Sequence, residues 1–294
     1  MKLALGTVQF GLNYGVSNHH GKPSDSEVNH ILSIAKEHDI HLLDTATGYG
    51  DSHHVLAKQQ VAQSKFDLVT KLPPFQNKTF SPSDIKRYHA LLDSLFLELD
   101  TESLYGVLFH QSDDLLKPGA QDIWHKLVAL KQSGKIKKIG VSVYANANIS
   151  ALLSRYDIDI IQLPYNLLDR YFEKSGLLDS FKDRGIEVHA RSAFLQGLLL
   201  MNDTQIPDYF NPWRAIFAEI TALAKTLSTT KLTLCLAYLI KQKHIDKCLV
   251  GVNNAKELKQ IVDAYQDACI LAQDSLPDFS INEPALTNPA LWSY

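Results

Sequence analysis

Eight short apolar runs rich in β-branched residues recur along the chain, and a longer amphipathic stretch follows each one. A strand covered on both faces reads as an unbroken apolar run, and its crossover helix reads with a 3.6-residue period. The alternation therefore predicts repeated βα units around a parallel sheet. The predicted strands are 3–7, 41–44, 68–71, 106–110, 139–142, 160–163, 187–190 and 248–250. The predicted helices are 25–37, 52–60, 82–97, 121–132, 147–153 and 173–182, then 212–227 with 232–241 after the seventh strand, and 255–264 after the eighth. Ser24-Asp25-Ser26-Glu27 and Ser81-Pro82-Ser83-Asp84 offer capping hydroxyls and early acids, and Gly134 ends a helix.

No Pro/Gly/Ser-rich linker or shift of composition divides the 294 residues. The units close most simply into one α/β domain over residues 1–294, a (β/α)8 TIM barrel, which uses about 250 residues on one core. The alternative, an open doubly wound sheet, is disfavoured because Gly6-Thr7-Val8-Gln9-Phe10-Gly11 lacks the Gly-x-Gly-x-x-Gly turn.

Composition narrows the function classes. Apolar residues make up 45% and charged residues 21%, which supports a large buried core and excludes disorder. Twenty-nine Lys plus Arg face 32 Asp plus Glu, a net charge of −3 without a basic block, so neither nucleic acid nor an anionic membrane is an expected partner. Cys235, Cys248 and Cys269 fit neither a disulfide framework nor zinc spacing and are read as reduced thiols. With no apolar run of about 18 residues and no leader-like start, the expected location is the cytoplasm.

Four polar residues stand at or just past the ends of three successive strands: Asp44 and Tyr49 after the second, Lys71 after the third and His110 after the fourth. Neighbouring strand ends of a barrel converge on one rim, so the four are expected to meet there. Together they suit proton transfer to a carbonyl oxygen. A phenol alone holds its proton too tightly at neutral pH, and an adjacent ammonium stabilises the phenolate. Lys71 is the candidate ammonium, Asp44 its counter-ion and His110 the guide for the substrate oxygen. Singly, each has an ordinary explanation: Asp44 as a cap, Tyr49 and His110 as packed side chains, Lys71 as a snorkelling one. The joint arrangement is what argues for chemistry. The pairs His19-His20 and His53-His54 raise a metal site, but adjacent histidines point apart, and none is predicted.

These motifs resemble the aldo-keto reductases over nearly the whole chain. Leu43-Asp44-Thr45-Ala46 with Tyr49-Gly50, Val69-Thr70-Lys71 and Leu108-Phe109-His110 are similar to that family's Asp, Tyr, Lys and His segments. The resemblance implies a catalytic tetrad of Asp44, Tyr49, Lys71 and His110, with Tyr49 as general acid, and a nicotinamide cofactor bound without a Rossmann fold. It implies cofactor contacts from Gly6 and Thr7 after the first strand. Ser142 of Gly140-Val141-Ser142 and Gln162, with Asn166 four residues on, would hold the carboxamide. Val143 replaces the family's usual Asn.

Arg191 stands where many relatives place an aromatic ring against the nicotinamide, and its guanidinium is expected to stack there or to bind an anionic group. The run Arg191-Ser192-Ala193-Phe194-Leu195-Gln196-Gly197 resembles a bacterial branch linked to surface-polysaccharide synthesis, which implies a sugar-like substrate and adds Ser192 and Gln196 to the cofactor contacts. Gly251, Asn253, Asn254 and Glu257 are similar to the segment gripping the adenosine phosphate at a helix N-terminus. NADPH is the expected cofactor on family grounds and NADH the alternative, since Glu257 would repel a 2′-phosphate unless Lys256 or Lys259 folds back to offset it.

The expected partner is a small carbonyl substrate, and the expected assembly a monomer or weak homo-oligomer. Pocket walls are expected from segments 10–23, 75–80, 113–118, 165–172 and 199–213 and from the tail 277–294, including Trp292 and Tyr294. Segment 199–211 has no predicted element and is read as a binding loop. The rival reading is a nicotinamide-nucleotide-binding regulatory subunit with little turnover.

Overall fold

The computed structural model describes residues 1–18 and 20–293; His19 and Tyr294, named above for a metal site and a pocket wall, lie outside the described residues. Eight parallel strands close into a barrel in chain order: β1 (Leu3–Gly6), β2 (Leu42–Asp44), β3 (Asp67–Leu72), β4 (Leu104–Phe109), β5 (Ile136–Ser142), β6 (Ile160–Pro164), β7 (Glu187–Arg191) and β8 (Lys247–Gly251). Leu5 of β1 pairs with Leu43 on one side and Val250 on the other, which completes the ring. The architecture is the (β/α)8 TIM barrel that the alternation predicts.

The helices form where the sequence marks their starts. Ser24 accepts from the Glu27 N–H, and Ser81 with Asp84 makes a full capping box around Pro82. Helices Asp25–Glu37, Pro82–Glu98, Ala120–Gln132 and Ala255–Leu271 bury apolar stripes such as Val28, Ile31, Leu32 and Ala35 against the outer barrel face.

Several elements differ from expectation. Stretch 173–182 is two helices, Tyr171–Lys174 and Leu177–Asp183, parted at Gly176, which takes φ 73°. The helix expected from 212 starts at Arg214, because Pro212 lies in the 3-10 turn Asp208–Trp213. The helix after β8 runs on to Leu271, with Tyr265 and Ala268 continuing its buried stripe. Segment 199–211 is not structureless. It coils through the 3-10 turns Leu195–Leu200, Asp203–Gln205 and Asp208–Trp213, pinned by Arg214, which donates to the Asp203 and Ile206 carbonyls at 2.9 Å each.

Candidate active site

Side chains along a strand alternate between the two faces of the sheet. A small apolar cluster inside the barrel contains Ala4, Leu42, Val69, Leu108, Ile160 and Leu249. Two residues further along each of these strands stand Gly6, Asp44, Lys71, His110, Gln162 and Gly251. The apolar plug thus fixes one polar layer directly above it, at the C-terminal mouth of the barrel.

Within that layer the Lys71 ammonium donates to Asp44 Oδ2 at 2.5 Å and to the Thr45 carbonyl at 3.0 Å, and Gln162 Nε2 donates to Asp44 Oδ1 at 2.8 Å. The two charged side chains are 4% and 1% exposed for Asp44 and Lys71. Burial works to lower the Lys71 pKa, but the charge of Asp44 and the nearby Tyr49 hydroxyl outweigh it and hold the pKa above its usual value. Lys71 Nζ lies 5.1 Å from the centre of the Tyr49 ring, whose edge-to-face partner is His110 at 6.0 Å and 83°. The sequence-predicted tetrad is therefore one cluster.

Tyr49 sits on a turn that is held from beneath. Its N–H bonds the Ala46 carbonyl, and the Ser52 N–H bonds its own carbonyl. That turn lies on Gly11 of the short helix Val8–Gly11, where an added Cβ would stand 1.7 Å from the Tyr49 carbonyl oxygen. Ser52 joins the strand ends from the same place, bonding Thr7 Oγ1 at 2.9 Å and Thr45 Oγ1 at 3.0 Å. Thr7 lines the cavity above, but its hydroxyl is committed to Ser52 and to the Asp44 carbonyl.

His110 is pushed down to about 4, by burial first and then by the positive charges of Lys71 and Arg191, so its imidazole is neutral at physiological pH. Its buried Nδ1 has no hydrogen-bond partner among the described residues. We assign the proton to Nε2, since an N–H at Nδ1 would be buried without an acceptor.

A cavity of about 680 Å³ opens over this layer. Gly6, Asp44, Tyr49, His110, Ser142 and Gln162 form one stretch of its wall, Arg191, Ser192 and Gln196 a second, and Gly251, Asn253 and Glu257 a third. Three predicted residues lie outside the lining: Lys71 is beneath it, Asn166 is buried and donates to the Ser192 carbonyl at 3.1 Å, and Asn254 is spent as a helix cap, accepting from the Glu257 N–H at 2.9 Å. Of the expected pocket walls, segments 10–23 and 199–213 contribute, whereas 75–80, 113–118, 165–172 and the described tail do not. Trp292 instead packs edge-on against Phe210 at 4.9 Å. Segment 10–23 touches the wall that follows β7: Gln196 Nε2 donates to the Tyr14 hydroxyl at 3.1 Å. Ser192, Leu195 and Gln196 take positive φ of 60°, 46° and 55°, a strained path that bends this wall over the cavity. Among the described residues, no group of three or more His, Cys, Asp or Glu is set to hold a metal. His53 is bound to Glu98 at 3.0 Å and Thr70 at 2.9 Å.

The model of the aldo/keto reductase family matches residues 2–274. The chain belongs to that family. It is 26% identical over 265 residues to the NADH-specific methylglyoxal reductase of Escherichia coli, a match covering 76% of this chain and 78% of the relative. It is 27% identical over 160 residues to the L-glyceraldehyde 3-phosphate reductase of Escherichia coli O157:H7, covering 46% of each, so the chain spans about half the length of that relative. The solved glycerol dehydrogenase of Gluconobacter oxydans shares the fold with a TM-score of 0.72 at 23% identity, covering 93% of this chain and 90% of that one.

This aldo/keto reductase has its own seventh strand end. The Arg191 guanidinium stacks 4.1 Å over the Tyr144 ring and donates to the Val143 carbonyl at 3.1 Å. One face expected to meet a nicotinamide or an anion is therefore covered from within. Tyr144, Gln9 and Ser52 are not legible in the sequence because each meets a partner far away in the chain, whereas Tyr14 falls in the expected wall 10–23. Only Tyr144, two residues past Ser142, carried a local signal.

Proposed function

We propose that this aldo/keto reductase reduces a small aldehyde or ketone to the alcohol with NAD(P)H, using Tyr49 as the proton donor. One observation carries the reading: the Lys71 ammonium lies between the Asp44 carboxylate and the Tyr49 ring at the floor of a cavity of small-molecule size. The lining fits a nicotinamide dinucleotide. It offers the buried acceptors Gln9 Oε1 and Asn253 Oδ1, which have no partner among the described residues, and a cation, Arg191, for phosphate charge. Gly6, Ser142 and Gln162 would hold the nicotinamide side, with Thr7 shaping the wall there through its backbone, Arg191, Ser192 and Gln196 the middle, and Gly251, Asn253 and Glu257 the adenosine side, where Asn254 would act only by capping the helix. When bound, the reduced nicotinamide supplies the hydride that reaches the carbonyl carbon.

The residues of the chain supply the proton and its control. As the carbon is reduced, the substrate oxygen takes the Tyr49 proton, and the charge left on the phenol oxygen is stabilised by Lys71. Asp44 balances the ammonium and is itself held by Gln162, so the pair does not move as charge develops. His110, neutral and with its proton on Nε2, donates to the substrate oxygen and sets it beside Tyr49. The names of the relatives, a methylglyoxal and a glyceraldehyde 3-phosphate reductase, support a small polar or sugar-like aldehyde. The proposal takes residues 1–294 as one barrel domain, cytoplasmic, acting as a monomer or weak homo-oligomer.

The test is oxidation of reduced nicotinamide by the purified protein with methylglyoxal, glyceraldehyde and a panel of aldoses. Turnover with at least one aldehyde is expected. Dinucleotide binding without turnover on any of them would contradict the reductase and favour a regulatory nucleotide-binding role.

A further inference from the structure

NADPH differs from NADH by one phosphate, which carries close to two negative charges and needs cations or free N–H donors to replace its water. The cavity wall is poor in both. Arg191 is its only Lys or Arg among the described residues, and that guanidinium already faces Tyr144 and the Val143 carbonyl. The pyrophosphate common to both dinucleotides competes for this same cation.

The other source of donors is the N-terminus of helix Ala255–Leu271, which meets the cavity through Asn253, Glu257 and Gln260. Three donors there are taken by carboxylates of the chain itself. The Ala255 N–H donates to Glu27 Oε1 at 2.6 Å, the Asn253 N–H to Glu257 Oε2 at 2.7 Å and Asn254 Nδ2 to Glu257 Oε1 at 3.0 Å. Two carboxylates thus sit where the helix dipole would otherwise attract an anion. What the wall does lack is donors for its own acceptors. Gln9, 9% exposed and lying against Gly251, has Oε1 buried without a partner, and Asn253 Oδ1 is in the same condition. Both lie in the cavity lining, and each asks for an O–H or N–H from a ligand.

An acceptor-rich wall with a fixed carboxylate suits free ribose hydroxyls and rejects a phosphate. Resting on the reading that the cavity takes a nicotinamide dinucleotide, we propose that it selects NADH over NADPH, with Glu257 as the discriminating residue. This reverses the preference that family membership alone implies. The discrimination is both a missing attraction and a built-in repulsion.

The test is direct binding by titration calorimetry, with the purified full chain and no carbonyl substrate. NADH is expected to bind at least about tenfold more tightly than NADPH at low salt, with the gap narrowing as salt rises. Glu257→Gln keeps the side-chain length and an acceptor oxygen while removing the charge, and is expected to shrink the ratio several-fold, chiefly by tightening NADPH. A thermal melt confirms that the variant is folded; if it is not, the wild-type ratio and its salt dependence decide. Equal or tighter binding of NADPH by the wild type would overturn the selectivity and leave the reductase reading standing. Binding of neither dinucleotide would overturn both.

Discussion

Gln162 reaches across 118 residues of chain to donate to Asp44 Oδ1 at 2.8 Å, while Lys71 holds Oδ2 at 2.5 Å. The carboxylate is clamped through both oxygens, by an amide from β6 and an ammonium from β3. Loss of Lys71 would leave a buried charge unpaired and loss of Gln162 would strip one buried carboxylate oxygen of its donor, so the Lys71 ammonium has a fixed position beneath Tyr49. Rigidity of that kind is what a proton-transfer site needs, because charge that develops during reaction meets dipoles already in place.

Removing one member of this pair should cost more than removing both. Asp44→Asn leaves the Lys71 ammonium uncompensated in a site 1% exposed, which is expected to destabilise the fold by about 3–5 kcal/mol. The double variant Asp44→Asn, Lys71→Met removes the stranded charge and is expected to regain part of that loss. Urea unfolding of the single and double variants measures the coupling. Additive losses would show that the pair does not act as a unit.

Gly11 is expected to matter for Tyr49 although it touches no substrate. An alanine there would put its Cβ 1.7 Å from the Tyr49 carbonyl oxygen and 2.5 Å from the Ser52 nitrogen, both backbone atoms, so the turn must shift. Gly11→Ala should lower turnover by about 10- to 100-fold and cost roughly 1–3 kcal/mol of stability. Steady-state kinetics beside an unfolding curve checks both, and parent-like turnover would show that the turn tolerates the shift.

Much of this is legible in the amino-acid sequence. The strands announce themselves because each is buried on both faces. The tetrad follows once the strands are placed, since Asp44, Lys71 and His110 each lie two residues past an inward apolar residue, Leu42, Val69 and Leu108. What stayed hidden depends on chain segments that meet only in the closed barrel. Nothing near Gln162 signals that its amide turns to Asp44, and nothing near Glu27 signals a bond to the Ala255 N–H. Segment 199–211 reads as loop because its 3-10 turns are too short to show a period, and Arg214 pins them from outside the segment.

The neutral state of His110 sets a pH dependence with a definite sign. Its value falls from 6.5 in the unfolded chain to about 4 in the fold, so between these values the unfolded state binds a proton that the native state refuses. The stability tied to a neutral His110 is complete above about pH 6.5 and is lost as pH falls toward about 4. The loss is on the order of 2–3 kcal/mol. His53, also depressed by burial, adds in the same direction. Unfolding free energies between pH 7 and pH 4 should therefore decline, and His110→Gln should flatten the curve. For the same reason kcat/KM should show no acid limb near 6.5 arising from His110. An unchanged slope in the variant would contradict the assignment.

Proton transfer from Tyr49 to a carbonyl oxygen beside Lys71 is tested most directly by the variant Tyr49→Phe. The substitution removes one oxygen and keeps the ring that packs edge-on against His110. Titration calorimetry should give the same dinucleotide affinity as the parent, within about twofold. Turnover with the best aldehyde of the panel should fall by about 10²–10⁴-fold, the usual share of a general acid. Turnover equal to the parent, with the dinucleotide bound, would contradict the account.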